Sequence, residues 1–242
     1  MLNVLTVCTG NICRSPLGAL TLGARTGDLE VRFASAGTRA RDGALMTEEA
    51  IDLAVERGVP SVAAHAHRAR LLTPVHLQHV DLVVAMTREH RRAVVEMDPS
   101  RLRMTFTARE LVRAIDGVDD HELAATAAAG DAHETDPQRA RFAALLAGLR
   151  ARRGLIASPA DPADDDVIDP YRRSLATYRA SAVQLDPGLD VVERLVRLAV
   201  GAAPGAVDRD RVEGRSAPGV DAGTVGPDAA ATPRTRRDLR RR

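Results

Sequence analysis

Cys8 and Arg14 stand six residues apart in the stretch Val7 to Pro16, VCTGNICRSP, and they are the residues whose types and spacing could do chemistry. A loop of this length, holding Thr9, Gly10, Asn11, Ile12 and Cys13 between them, can curl so that its N–H groups and a planar guanidinium surround the oxygens of a phosphate while the sulfur faces the phosphorus. A helix N-terminus, Arg14 and a hydroxyl donor at Ser15 would all favour the thiolate form of Cys8, the form that attacks. Attack on a bound phosphate monoester gives a phosphocysteine on Cys8. Ser15 then steadies the sulfur as it leaves when water attacks in turn. Amides and Arg14 do what a divalent ion does elsewhere, so the arrangement calls for no metal and no cofactor. The leaving oxygen needs an acid, and Asp169, in Asp169-Pro170-Tyr171 far along the chain, is the candidate. Taken alone, Asp169 reads first as a turn aspartate before a proline, and only the context of the loop reverses that preference.

These residues must be carried by elements. Residues 2–7 form a short apolar run rich in β-branched side chains, which reads as a strand ending on Cys8, and residues 14–25 read as the helix that follows. A second strand is expected over 29–36, a helix over 47–57, a buried strand over 81–86, a helix over 87–97 and a further strand over 101–106. Such alternation predicts an α/β fold, a four-stranded parallel sheet flanked by helices on both faces. From 107 the character changes to Ala-rich helix, with segments over 108–115, 121–129 and 137–153, so 107–165 reads as an inserted α-helical segment. A long helix is expected over 173–200, interrupted near Asp186-Pro187-Gly188. Residues 201–242, rich in Pro, Gly, Ala, Asp and Arg without periodicity, read as a disordered tail.

Composition narrows the function. The hydrophobic fraction of 45% over 242 residues supports a globular core, and no stretch approaches the length of a membrane span. The only two cysteines, Cys8 and Cys13, both lie in the opening loop; that suggests reactive thiols in a reducing compartment, and a cytoplasmic placement is expected. A net charge of +1 and a total of five aromatic residues, three Phe and two Tyr, argue against nucleic-acid partners. Four of the seven histidines fall between His65 and His79 without a cluster of acids or thiols beside them, which favours hydrogen-bonded or solvated side chains over a metal site.

With Cys8 to Pro16 and Asp169-Pro170-Tyr171 both in view, the chain resembles the low-molecular-weight protein tyrosine phosphatases. Further matching stretches are Ser35-Ala36-Gly37-Thr38, Ala66 to Arg70 and Asp81 to Met86. The resemblance covers about residues 2–106 and 166–200, which sets a phosphatase domain at 1–106 and 166–200, and it implies a phosphatase that hydrolyses phosphotyrosine in proteins. It implies Cys8 as nucleophile, Arg14 as phosphate binder, Ser15 as thiolate partner and Asp169 as general acid, with Asn11, Ser35 and His67 in a hydrogen-bond chain that holds the loop. In similar enzymes the second loop cysteine can form a reversible disulfide with the nucleophile; Cys13 reads equally as a small buried thiol. The implied partner is a tyrosine-phosphorylated protein, with a bacterial tyrosine kinase of polysaccharide export as the example.

The rim departs from the family pattern. Arg41 and Arg172 stand where relatives active on phosphotyrosine often carry aromatics, leaving Tyr171 as an aromatic wall and suggesting substrates with acidic neighbours. Three other functions compete. Arsenate reduction on the same fold needs relay cysteines beyond Cys13, which this chain lacks. Phosphoarginine hydrolysis goes with Thr at the place of Ile12. A non-catalytic phosphate-binding module would not require Cys8, Arg14, Ser15 and Asp169 together.

Overall fold

The computed structural model describes residues 1–130 and 136–201. Four parallel strands form one sheet in the order β2-β1-β3-β4, where β1 is Leu2–Cys8, β2 Val31–Gly37, β3 Leu82–Ala85 and β4 Thr105–Thr107. Both faces of the sheet are covered, which is why β1 and β3 are near-continuous apolar runs. Leu2, Val4 and Cys8 point into one large core with Leu82, Val84 and Phe106, while Leu5, Val7 and Val83 point into a smaller one with Leu77 and Val94. The pleat thus sorts alternate residues of β1 between two layers.

The helices are α1 (Arg14–Arg25), α2 (Glu48–Glu56), α3 (Ser61–Ala66), α4 (Pro74–Leu77), α5 (Arg88–Met97), α6 (Ala108–Ile115), α7 (Asp120–Ala129), α8 (Pro137–Arg153) and α9 (Leu175–Val200). Most start on side chains able to satisfy free amides: Thr87 accepts from His90 N–H, Thr107 from Glu110 N–H and Ser174 from Thr177 N–H. The residues expected to form an inserted helical segment pack against α9, and Leu111, Phe142, Leu145 and Leu149 are buried in the same core that holds the inner face of β1.

Three local expectations give way to the structure. The strand expected over 101–106 is confined to Thr105–Thr107, because Asp98 caps Ser100 N–H at 3.0 Å and Pro99 opens a 3-10 helix over Pro99–Met104. The short helix α3 lies where no helix was expected. The interruption expected near Pro187 is absent: α9 runs through it unbroken. Pro187 is exposed, as is Val183, whose carbonyl loses its helical donor, so water can serve that carbonyl. The neighbours of Pro187 hold the turn from the inside. Asp186 takes a two-point ion pair from Arg57, with both N···O distances 3.0 Å, and Gly188 lies so close to α6 that an added Cβ would sit 2.6 Å from the Ala108 carbonyl oxygen. The tail expected at 201–242 lies, from residue 202 onward, outside the described residues.

Candidate active site

The carboxyl end of a central parallel strand is where open α/β sheets place ligands. Here β1 ends at Cys8, in register with Gly37 at the end of β2, and residues 9–13 connect it to α1. The neighbouring backbone clamps this loop. Thr38 N–H donates to Cys8 O and Arg39 N–H to Thr9 O, each at 2.9 Å, and Thr47 N–H donates to Ile12 O at 3.1 Å. Gly37 is required by that closeness, since a Cβ there would meet Thr9 O at 2.5 Å. The first turn of α1 has no side-chain cap, so its leading amides remain available to an anion.

Asn11 is the hub of the loop. Its backbone takes a left-handed φ of 55°, and its own N–H donates to Cys8 Sγ at 3.2 Å. The side-chain amide donates to Ser15 Oγ at 2.9 Å and to Ser35 Oγ at 2.8 Å, and its Oδ1 accepts from Arg70 N–H at 2.9 Å. His67 Nε2 lies 2.9 Å from the Asn11 carbonyl, and burial lowers the pKa of that imidazole, so it is neutral and can donate there. Ser15 Oγ sits 2.9 Å from Cys8 Sγ. The sulfur is therefore met by two hydrogen-bonding groups, both braced by Asn11.

Arg14 is buried and reaches across to the loop that carries Asp169. Its Nη1 donates to Val167 O at 2.9 Å and its Nη2 pairs with Asp169 Oδ2 at 2.9 Å, while Nε is buried without a hydrogen-bond partner among the described residues. Asp169 is about half exposed, and its Oδ1 accepts from Tyr171 N–H at 3.1 Å, the turn expected of an aspartate before proline. The structure thus brings Cys8, Arg14, Ser15, Asn11, Ser35, His67 and Asp169 together around one loop, although up to 161 positions separate them.

The other expected residues behave differently. Cys13 is buried beneath the loop, with Thr47 Oγ1 at 3.6 Å and Tyr178 OH at 3.7 Å, and burial pushes its thiol up to about 11. Both cysteines are free. Tyr171 is exposed and the Arg172 guanidinium lies over its ring at 5.2 Å, whereas Arg41 is exposed and hydrogen-bonds to neither. Of the clustered histidines, His65 bonds to Ser61 and His76 to Thr73, and no group of three or more metal-binding side chains occurs among the described residues.

Sequence reasoning missed His90. Its Nε2 lies 2.8 Å from Thr9 Oγ1 and its Nδ1 2.8 Å from Thr87 Oγ1, so it ties the loop to the start of α5. Burial, reinforced by Arg14 and opposed by Asp169, lowers its pKa to about 4. The available signal was its place in the first turn of the helix after a central strand, beside the loop that follows β1.

Comparison with known proteins places this geometry. The family model for low molecular weight phosphotyrosine protein phosphatase matches residues 3–128, which include the whole loop but not Asp169. A protein-arginine-phosphatase from Geobacillus stearothermophilus is 36% identical over 115 residues, 47% of this chain and 74% of that protein. The low molecular weight protein-tyrosine-phosphatase Etp of Escherichia coli K12 is 36% identical over 97 residues, 40% of this chain and 62% of its own length. Among solved structures, the low molecular weight protein tyrosine phosphatase from T. tengcongensis superposes with a TM-score of 0.53 at 27% identity, covering 79% of this chain and 97% of that one. Through its loop, its sheet and these matches, the chain belongs to the low molecular weight phosphotyrosine protein phosphatase family.

Proposed function

We propose that this protein hydrolyses phosphotyrosine in proteins through a phosphocysteine on Cys8, with no metal in the reaction. The observation that carries the reading is the convergence on one loop of a sulfur met by Asn11 N–H and Ser15 Oγ and a buried arginine paired with a carboxylate across the mouth. Cys8 attacks as the thiolate, and the two donors steady the sulfur when it leaves phosphorus. Arg14 and the loop amides hold the three non-bridging oxygens of the bound ester and stabilise charge as it spreads in the transition state. The dianion takes over the guanidinium, and Asp169 Oδ2, now beside the leaving oxygen, gives it a proton. In the second half Asp169 accepts a proton from water as the water attacks phosphorus and the sulfur departs towards Ser15. Asn11, Ser35 and His67 serve as braces. Tyr171, Arg41 and Arg172 form the substrate rim.

A second reading has its own support: the Geobacillus relative is named a protein-arginine-phosphatase. Ile12, half-buried against the core at the loop, is the side chain on which the two readings divide. A bulky apolar side chain there suits an aryl phosphate over a guanidino phosphate. We take residues 107–165 as an insertion into a phosphatase domain made of 1–106 and 166–200, the setting as cytoplasmic, and the partner as a tyrosine-phosphorylated protein such as a kinase of polysaccharide export.

Hydrolysis of a chromogenic aryl phosphate without metal tests the proposal. Wild type turns over, Cys8→Ser does not, and Asp169→Ala loses at least a hundredfold in kcat, within the range of general acid catalysis. Absence of turnover in the wild type would leave a binding module. Faster turnover of phosphoarginine than of phosphotyrosine in peptides would transfer the assignment to the second reading.

A further inference from the structure

Behind the loop that carries Asp169 lies a cavity of about 360 Å³ that the reaction does not use. Its walls are α5, α6, the end of α8 and the segment before Asp166, and they bring together Arg88, Arg91, Arg113 and Arg153 with two acids, Glu110 and Asp165. The acids answer only part of this charge. Glu110 Oε1 lies 2.5 Å from Arg153 Nε and 3.9 Å from Arg91 Nη1, and Asp165 holds Arg113. Arg88 has no side-chain partner among the described residues.

Several donors are also out of place. The Nε atoms of Arg91 and Arg113 are buried without a hydrogen-bond acceptor among the described residues, and that of Arg153, close as it is to Glu110, is out of line for a hydrogen bond. Desolvated guanidinium groups crowded together are costly, and an oxyanion inside the cavity would offset their charge and accept from the N–H groups that line it. Four cations against two anions leave two positive charges, matched by the two negative charges of a phosphoryl group. Burial works against the charge on Arg153, Glu110 supports it, and Arg91 opposes it in turn, so the one carboxylate beside it does not offset the crowding in full.

We propose that this cavity is a second anion site, distinct from the catalytic loop, that takes a dianionic phosphoryl group, either free phosphate or the head of a small phosphate ester. Its position gives occupancy a consequence. Asp165 lines it, Asp166 Oδ1 accepts from Arg88 N–H at 2.7 Å, and Val167 donates to Met86 O and accepts from Arg14. An anion that draws Arg113 from Asp165 acts four residues from Asp169, on the segment that presents it. Occupancy therefore changes kcat as well as apparent affinity.

Equilibrium dialysis with radiolabelled inorganic phosphate tests the site on the full chain. Two equivalents bind to the wild type, and one is lost, or weakened at least tenfold, in Arg88→Gln/Arg91→Gln, whose fold is checked by circular dichroism. A single equivalent in the wild type that phenyl phosphonate, a mimic of the aryl ester bound at Cys8, displaces in full overturns the proposal without any variant, as does unchanged binding in the folded double variant. With an aryl phosphate as substrate, phosphate inhibition is mixed in the wild type and purely competitive in the double variant; purely competitive inhibition in both sinks the link to Asp169. Displacement of the second equivalent by glycerol 3-phosphate at tenfold lower concentration than phosphate identifies the small ester as the occupant, and the reverse order identifies free phosphate. The binding count does not depend on turnover, so failure of this site and failure of the phosphatase reading are separable.

Discussion

At the residue scale, Asn11 and His90 hold the loop by opposite means. Asn11 spends every polar atom it has on the loop and its surroundings. Asn11→Ala strands Ser35 Oγ and the Arg70 amide, leaves Ser15 Oγ with only Cys8 and Ala36, and loses a residue type that tolerates left-handed φ; at about 1–3 kcal/mol for each buried group left unpaired, we expect a loss of roughly 3 kcal/mol in stability and at least tenfold in kcat. Urea unfolding and aryl phosphate kinetics on the one variant check both. His90 works by staying neutral, accepting at one ring nitrogen and donating at the other. Its pKa is lowered from 6.5 to about 4, so the unfolded chain binds the extra proton first as pH falls. The stabilisation is therefore fully present above about pH 6.5 and drains away towards pH 4, a loss of roughly 3 kcal/mol at about 1.4 kcal/mol per tenfold change in proton affinity. His90→Gln keeps a donor and an acceptor but cannot titrate. Its unfolding free energy should fall less between pH 7 and 4.5 than that of wild type, and equal slopes would show that another group is responsible. Cys13, with its thiol pushed up to about 11, stays protonated at neutral pH and should be alkylated by iodoacetamide far more slowly than Cys8, as peptide mass spectrometry would read out.

At the element scale, the structure shows which parts of the fold a sequence can disclose. The sheet and its flanking helices were legible because β1 and β3 are apolar runs, each followed by an amphipathic helix, and each of those signals is local. The loop was legible for the same reason, since Cys8 to Ser15 are contiguous. His90 was not, because its bond to Thr9 joins residues 81 positions apart. Nor was the continuity of α9. Asp-Pro-Gly is a turn signal by local rules, and it is overruled by Arg57 on one side and Ala108 on the other. These two contacts predict how α9 fails. Gly188→Ala forces α6 away from α9 and should cost about 1–3 kcal/mol by overpacking, even though alanine is the better helix former. Asp186→Ala leaves the partly buried Arg57 guanidinium with the Leu53 carbonyl but without its carboxylate and should cost about 3 kcal/mol, the low end for a broken buried pair. Thermal or urea unfolding measures both, and a gain in stability from Gly188→Ala would mean that propensity, not packing, governs that turn.

At the scale of the whole molecule, charge is distributed where the total conceals it. The chain carries a net charge of only +1, yet arginines gather at the mouth of the loop. Arg39 and Arg70 are exposed and fixed there by their backbone bonds to Thr9 and Asn11, while Arg172 lies over Tyr171 two residues from Pro170. Glu89 pairs with Arg39 at 3.1 Å, which leaves Arg70, Arg172 and the nearby Arg41 facing solvent without an ion pair among the described residues. A phosphotyrosine flanked by Asp or Glu should meet a favourable field on approach and at the rim. Exposed pairs of this kind contribute about 0.2–1 kcal/mol, so each added acid within reach should raise kcat/KM by about twofold to fivefold at low salt, mostly through KM. The gain should shrink as ionic strength rises and the Debye length falls below about 10 Å. Arg172→Glu should weaken the preference for acidic neighbours and make an acid beside Tyr171 unfavourable, while turnover of a small aryl phosphate, which reaches no flanking site, changes little. A peptide panel read at two salt concentrations makes the distinction: if neutral and acidic flanks perform alike at low salt, the arginines at the rim do not select the substrate.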